Sequence, residues 1–170
     1  TLSASSAASD VYKRQRKACS NFSEDYQGKL DKLGALGLLD AVERYQAIEV
    51  VAGKIMSFAS LRYYQLTTDS QRTKFMSDMQ DKVTKLTTPL VFYGLEFNRI
   101  SGDRIASLLS ENSDLARYQP VFDRMRAMKP YQLSDELEKF LHDQSVVGAS
   151  AWNRLFDETI ASLTFQIKGE

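Results

Sequence analysis

The chain has 170 residues, 43% of them hydrophobic and 26% charged, the composition of an ordinary globular protein long enough for one sizeable core. Its 22 Lys and Arg balance its 22 Asp and Glu, so no whole-chain field draws in nucleic acid or an anionic membrane surface. The longest apolar runs fall well short of the roughly 18 residues that a membrane span needs, and the lone Cys19 allows no internal disulfide, so a cytoplasmic protein is expected.

Thr1 to Ser9 is almost wholly Ser, Ala and Thr, with Leu2 the one sizeable apolar side chain. Such a stretch cannot repay its own ordering entropy. Ser3 to Gln15 also resembles a translated sequencing-adapter tract, so residues 1–15 are expected to be a non-native or disordered tail without packed contacts, with the native sequence beginning near Arg16. The first residue is not a methionine and Lys168-Gly169-Glu170 has no tail-like composition, so both ends are expected to be cut.

From Leu36 to Leu66, the positions Leu38, Val42, Tyr45, Ala52, Ile55, Ala59, Tyr63 and Leu66 recur mostly at three- and four-residue steps, the spacing of one helix face. Leu39, Val50, Val51, Phe58 and Leu61 widen that face, which predicts a central helix with more than one neighbour. The stretch Asp69 to Ile100 carries Phe75 or Met76, then Met79, Val83, Leu86, Leu90, Tyr93, Phe97 and Ile100 in the same rhythm. Thr68 with Gln71 reads as a capping box at its start. Pro89 removes an amide donor, and because the stripe keeps phase across it a kink is predicted rather than a stop.

Shorter helices follow over Gly102 to Glu111 and over Leu115 to Met128, the latter with Pro120 in its first turn. Ser134 reads as an N-cap, with the acids Asp135 and Glu136 meeting the exposed amides and the positive dipole end of a helix that runs through Leu141. The last helix, Ala149 to about Gln166, places Trp152, Leu155, Phe156, Ile160 and Leu163 on one face, and Trp152 is expected to be substantially buried. No stretch keeps the period-two alternation of a strand. The fold class is therefore all-α, an elongated antiparallel arrangement of long and short helices, with the helices on either side of residues 67–68 packed against each other.

Chemistry-bearing motifs are absent. The one histidine, His142, rules out an HExxH zinc site within this chain, and there is no phosphate loop, GxGxxG turn, GxSxG elbow or CxxC pair. His142 is placed near a helix C-terminus, where an imidazole meets the dipole favourably. Cys19 stands beside Lys17 and Arg16, which could lower its pKa, yet no second histidine is present to act as its base. Asp157 and Glu158 point about 100° apart on a helix and read as surface charge beside Arg154. Arg117, Arg124, Arg126 and Lys129, interrupted by Asp114 and Asp123, read as a solvated helix face. Tyr63, Tyr64 and Tyr93 are open to two readings: core side chains, or aromatic rings lining a peptide groove.

Tyr131-Gln132-Leu133-Ser134-Asp135-Glu136-Leu137-Glu138-Lys139-Phe140-Leu141, preceded by Lys129-Pro130, and Gly148-Ala149-Ser150-Ala151-Trp152-Asn153-Arg154-Leu155-Phe156-Asp157-Glu158 resemble two helices of the oligoendopeptidase F family. Those are the "Lys-Pro, Leu-Ser, Glu…Leu" helix start and the "Ala-Trp-x-Arg-Leu-[Phe/Tyr]-Asp-Glu" helix. Tyr63-Tyr64 and the region of Leu95-Glu96-Phe97 are also similar, so the resemblance covers about Arg16 to Glu170. It implies that residues 16–170 are the helical N-terminal region of a cytoplasmic zinc peptidase that cleaves short oligopeptides. In such an enzyme an HExxH helix and a downstream glutamate hold the zinc; none of those residues lies here, so no catalytic and no metal-binding residue is assigned. The implied cofactor of this segment is none, the implied partners are its own catalytic domain and oligopeptide substrates, and the implied role is part of the wall of the channel that admits peptides. The alternative is a free-standing helical interaction module that binds a protein or peptide through a groove.

Overall fold

The computed structural model describes residues 2–165, with side chains from residue 11 onward, and among these no strand occurs. The chain runs through α1 (Leu2–Tyr26), α2 (Ala35–Tyr64), α3 (Ser70–Thr87), α4 (Phe92–Arg99), α5 (Gly102–Glu111), α6 (Ser113–Ala116), α7 (Gln119–Ala127), α8 (Asp135–Gln144) and α9 (Ala149–Ser162). Single 3-10 turns lie at Leu30–Lys32, Thr88–Leu90 and Lys129–Tyr131. The all-α expectation holds.

Three helices make the frame. α1 reverses at Gly28, whose φ of +74° is the left-handed conformation that costs a glycine least. Its amide then donates to the Glu96 carboxylate at 2.8 Å, tying the turn to α4. α1 and α2 lie antiparallel: Phe22 meets Tyr45, Tyr26 donates to Asp40, and Asp25 pairs with Arg44 at 2.8 Å. α2 and α3 also lie antiparallel, as expected, with the Phe58 and Phe75 rings edge to face at 6.1 Å and the Ser60 hydroxyl on the Met76 sulfur. The cap of α3 is Asp69, one residue beyond the expected Thr68. Its short carboxylate reaches the Gln71 and Arg72 amides at 2.8 and 3.1 Å.

The core is a line of aromatic rings drawn from four helices. Phe22, fully buried, touches Tyr26, Tyr45, Phe92 and Tyr93 with centroids 4.9 to 5.8 Å apart. Tyr45 stacks on Tyr93 at 4.4 Å, Tyr93 meets Phe97, and Phe97 meets Phe122 of α7 at 4.6 Å. Pairs at these distances add about 0.5 to 1.5 kcal/mol each beyond the area they bury.

The structure departs from the sequence expectations at identifiable points. At Pro89 the helix breaks rather than kinks: α3 ends at Thr87, one 3-10 turn follows, and α4 restarts at Phe92. The backbone stays right-handed through Thr88 and Val91, so the apolar stripe keeps its phase while the α-type hydrogen-bond ladder is lost. The stretch expected as one helix over 115–128 divides into α6 and α7, because Asn112 caps α6 and Tyr118 opens α7 with Pro120 in its first turn. Arg126 is half-buried rather than solvated and donates to the Ile100 carbonyl at 2.8 Å.

Within the expected tail, the described residues show a helix and one packed side chain. α1 begins at Leu2, and Tyr12 packs against the core. Helix extension from an end anchored by Cys19 and Phe22 adds one hydrogen bond per residue fixed, and the Ala-rich run opposes it little. The side chains of residues 1–10 and residues 166–170 lie outside the described residues; the last helix, expected to run to about Gln166, ends at Ser162, where Leu163 turns extended.

Trp152 is the largest departure: it is 68% exposed. The face it shares with Leu155, Phe156, Ile160 and Leu163 was read correctly, but nothing within the described residues covers that face.

Candidate functional site

The three tyrosines singled out from the sequence do not form one site. Tyr93 is 1% exposed, enclosed by Phe22, Tyr45 and Phe97, and burial pushes its phenol well above the ordinary tyrosine range. It is a core residue. Tyr63, at the C-terminal end of α2, is also buried, and its hydroxyl finds no hydrogen-bond partner among the described residues. Its pKa is raised, first by burial and then by the charges of Asp157 and Glu158 on α9. Tyr64 alone presents its ring to solvent, 65% exposed, 5.3 Å from the Tyr63 ring.

The single histidine has a structural place. His142, in the last turn of α8, sits with Nε2 3.1 Å from the Thr87 hydroxyl, and next to it Asp143 accepts a hydrogen bond from Thr88. The two contacts fasten α8 to the turn at Pro89. At the other end of the helix Ser134 caps Leu137, Glu138 accepts from the Leu133 amide at 2.8 Å, and Asp135 pairs with Arg99.

Cys19 is buried against α2. Desolvation, followed by the nearby Glu49, raises its pKa, the opposite of what Lys17 and Arg16 would do alone. A thiol held protonated in this way is neither a nucleophile nor a ready metal ligand. Among the described residues no three His, Cys, Asp or Glu side chains gather as a metal site, and no helix is long and apolar enough to cross a membrane.

Two features were missed by the reading of the sequence. Phe22 is the hub of the aromatic core, and its signal was present in Cys19, Phe22, Tyr26 and Leu30, which step by three and four residues. The other is an apolar groove of about 760 Å³ between α1, α2 and α3, with Tyr12, Ile55, Phe58, Phe75 and Met79 in its walls and Lys54 and Lys82 at its edges.

Comparison with known proteins agrees with this architecture. The family model described as Oligopeptidase F matches residues 96–165, the span from α4 to the end of α9. The plasmid oligoendopeptidase F of Lactococcus lactis subsp. cremoris is 29% identical over 107 residues, 63% of this chain and 18% of that protein. The group B oligopeptidase PepB of Streptococcus agalactiae is 29% identical over 98 residues, 58% of this chain and 16% of its own length. The chain thus spans less than a fifth of the curated relatives it matches. In fold, the crystal structure of oligoendopeptidase-F from Enterococcus faecium superposes with a TM-score of 0.78 at 22% identity, over 98% of this chain and 32% of that one. The resemblance first visible around Trp152 thus extends in sequence to the Oligopeptidase F family model over residues 96–165, and in fold to an oligoendopeptidase-F over nearly the whole chain.

Proposed function

We propose that this chain is the non-catalytic N-terminal portion of a cytoplasmic zinc-dependent oligoendopeptidase and forms part of the wall of the channel that admits short peptides. The observation that supports this most is the likeness of fold to the Enterococcus faecium protein along 98% of the chain, joined to the family match over α4 to α9. The donor set of the chain does not fit zinc. His142 is engaged with Thr87, Cys19 is a buried protonated thiol, and no third ligand stands near either among the described residues. Zinc and the hydrolytic chemistry belong, in this reading, to the remainder of the intact enzyme, which is also the chain's partner, with oligopeptides as substrate. Of the three tyrosines, Tyr64 offers an accessible ring to such a peptide, whereas Tyr93 serves the core.

The test is an assay of two polypeptides against a quenched fluorescent oligopeptide: the 170-residue chain, and the same chain continued by its native downstream sequence. The longer protein is expected to cleave, and to lose cleavage to a chelator; the shorter is expected to do neither. Chelator-sensitive cleavage by the 170-residue chain would overturn the reading. The second reading, a free-standing helical interaction module, draws support from the exposed apolar face of α9. It requires that no in-frame HExxH follow residue 170, so the downstream sequence separates the two.

A further inference from the structure

α8 and α9 are amphipathic helices laid down the wrong way round for a free surface. On α9 the partly covered positions are Ser150, Ala151, Arg154, Asp157 and Glu158, and the two acids lie close enough to Tyr63 to raise its pKa. The opposite stripe, from Trp152 to Leu163, is 51 to 68% exposed. α8 repeats the pattern: Glu138 and His142 are partly covered and His142 meets Thr87, whereas Leu137, Phe140 and Leu141 are 50 to 56% exposed. Neither helix contains a buried residue.

A helix left at a water interface turns its charges outward, because each large apolar side chain withdrawn from water gains about 1.5 to 3 kcal/mol. Two neighbouring helices that both do the reverse present a face awaiting cover. Both lie within the family-matched span, and the chain accounts for 32% of the Enterococcus faecium protein, so most of a polypeptide of that kind lies outside these residues.

From this we infer that the outward stripes of α8 and α9, centred on Leu137, Phe140, Trp152, Leu155, Phe156 and Ile160, are the seat on which the part of the intact polypeptide following residue 170 packs. The inference rests on the reading that this chain is a portion of a larger oligoendopeptidase. It also assigns this face to an interior interface, so the peptide-facing surface of the chain must be sought elsewhere.

The test uses the intact polypeptide carrying Leu155→Cys or, separately, Ile160→Cys, with Ser110→Cys on the exposed side of α5 as the reference, and a maleimide probe read site by site by mass spectrometry. Positions 155 and 160 are expected to label at least about tenfold more slowly than position 110, since labelling there requires local opening. Two positions are used so that one poorly folded variant does not decide the matter. Labelling of both at the reference rate would overturn the seat, and so would protection that disappears on dilution, which would make the cover a second copy. Peptide cleavage is measured on the same samples. Protected sites without chelator-sensitive cleavage remove the proposed function and leave the seat; cleavage with unprotected sites does the reverse.

Discussion

The body built from α1, α2, α4 and α7 and the pair α8–α9 are written in the same helical grammar, yet they meet water in opposite ways. In the body, the apolar stripes converge: Phe22, Phe97 and Phe122 are fully buried, and Tyr93 is 1% exposed. In α8 and α9, stripes of equal quality point outward, and the partners inside are His142, Asp157 and Glu158. The contrast teaches that amphipathic spacing specifies which face needs cover and says nothing about where the cover comes from.

The comparison can be broken most forcefully in the core. Phe22→Ala is expected to destabilise the chain by about 3 to 5 kcal/mol in urea denaturation, through lost burial and an unfilled cavity among four rings; a loss under about 1 kcal/mol would dissolve the distinction between the regions. Alkaline pH attacks the same cluster. Burial, then Glu49, raises Tyr45 from 10.0 to about 12. Its folded-state value thus exceeds its unfolded one, so the stabilisation is complete below pH 10 and is lost as pH rises through the folded value. Between pH 10 and about 12 the melting stability should fall by about 1.4 kcal/mol per pH unit for this group. Tyr45→Phe should flatten that slope; an unchanged slope would count against a buried phenol.

Smaller effects sharpen the comparison. Asp69→Ala removes two amide hydrogen bonds at the start of α3 and should cost about 1 kcal/mol, whereas Ser134→Ala, which frees a single longer contact on α8, should cost less. Helical signal and denaturation midpoint of the two variants check the ranking. Smallest of all is Trp152→Ala in the 170-residue chain, expected within about 0.5 kcal/mol because the ring is already in water. In the intact polypeptide the same change should cost about 3 kcal/mol or more. Equal costs in the two proteins would mean that Trp152 is covered in neither or in both.

Much of the fold was legible. The helices at 35–64 and 102–111, the Ser134 cap with its first-turn acids, Pro120 in the first turn of α7 and the antiparallel α2–α3 pair follow from local spacing and cap chemistry. What failed depended on tertiary partners. Pro89 could bend the helix or break it, and the break is held by Thr87 and Thr88, whose hydroxyls find His142 and Asp143 some 55 residues away. Cys19 lacks a base in the sequence and reads as a bystander thiol, but that burial and then Glu49 would raise its pKa was not legible there. Tyr64 was separable from Tyr63 only once the rotation of α2 was known. Trp152 failed because its spacing marks an apolar face, and no described residue packs on that face.

The turn at Pro89 also bears on the order of folding. Freed from the α-type ladder, the Pro89 carbonyl accepts the Ser23 hydroxyl at 3.0 Å across 66 residues of sequence, while Thr87 and Thr88 reach α8 across 55. Each link closes a long loop before it returns any energy, so the joint belongs to the last stage of assembly, after the local helices and the α2–α3 pair. Variants that cut it, Ser23→Ala or Thr88→Val, should then speed unfolding while leaving the folding rate nearly unchanged in stopped-flow measurements. A matching fall in the folding rate would instead put this joint in the nucleus, and make the helix break the point from which the fold begins.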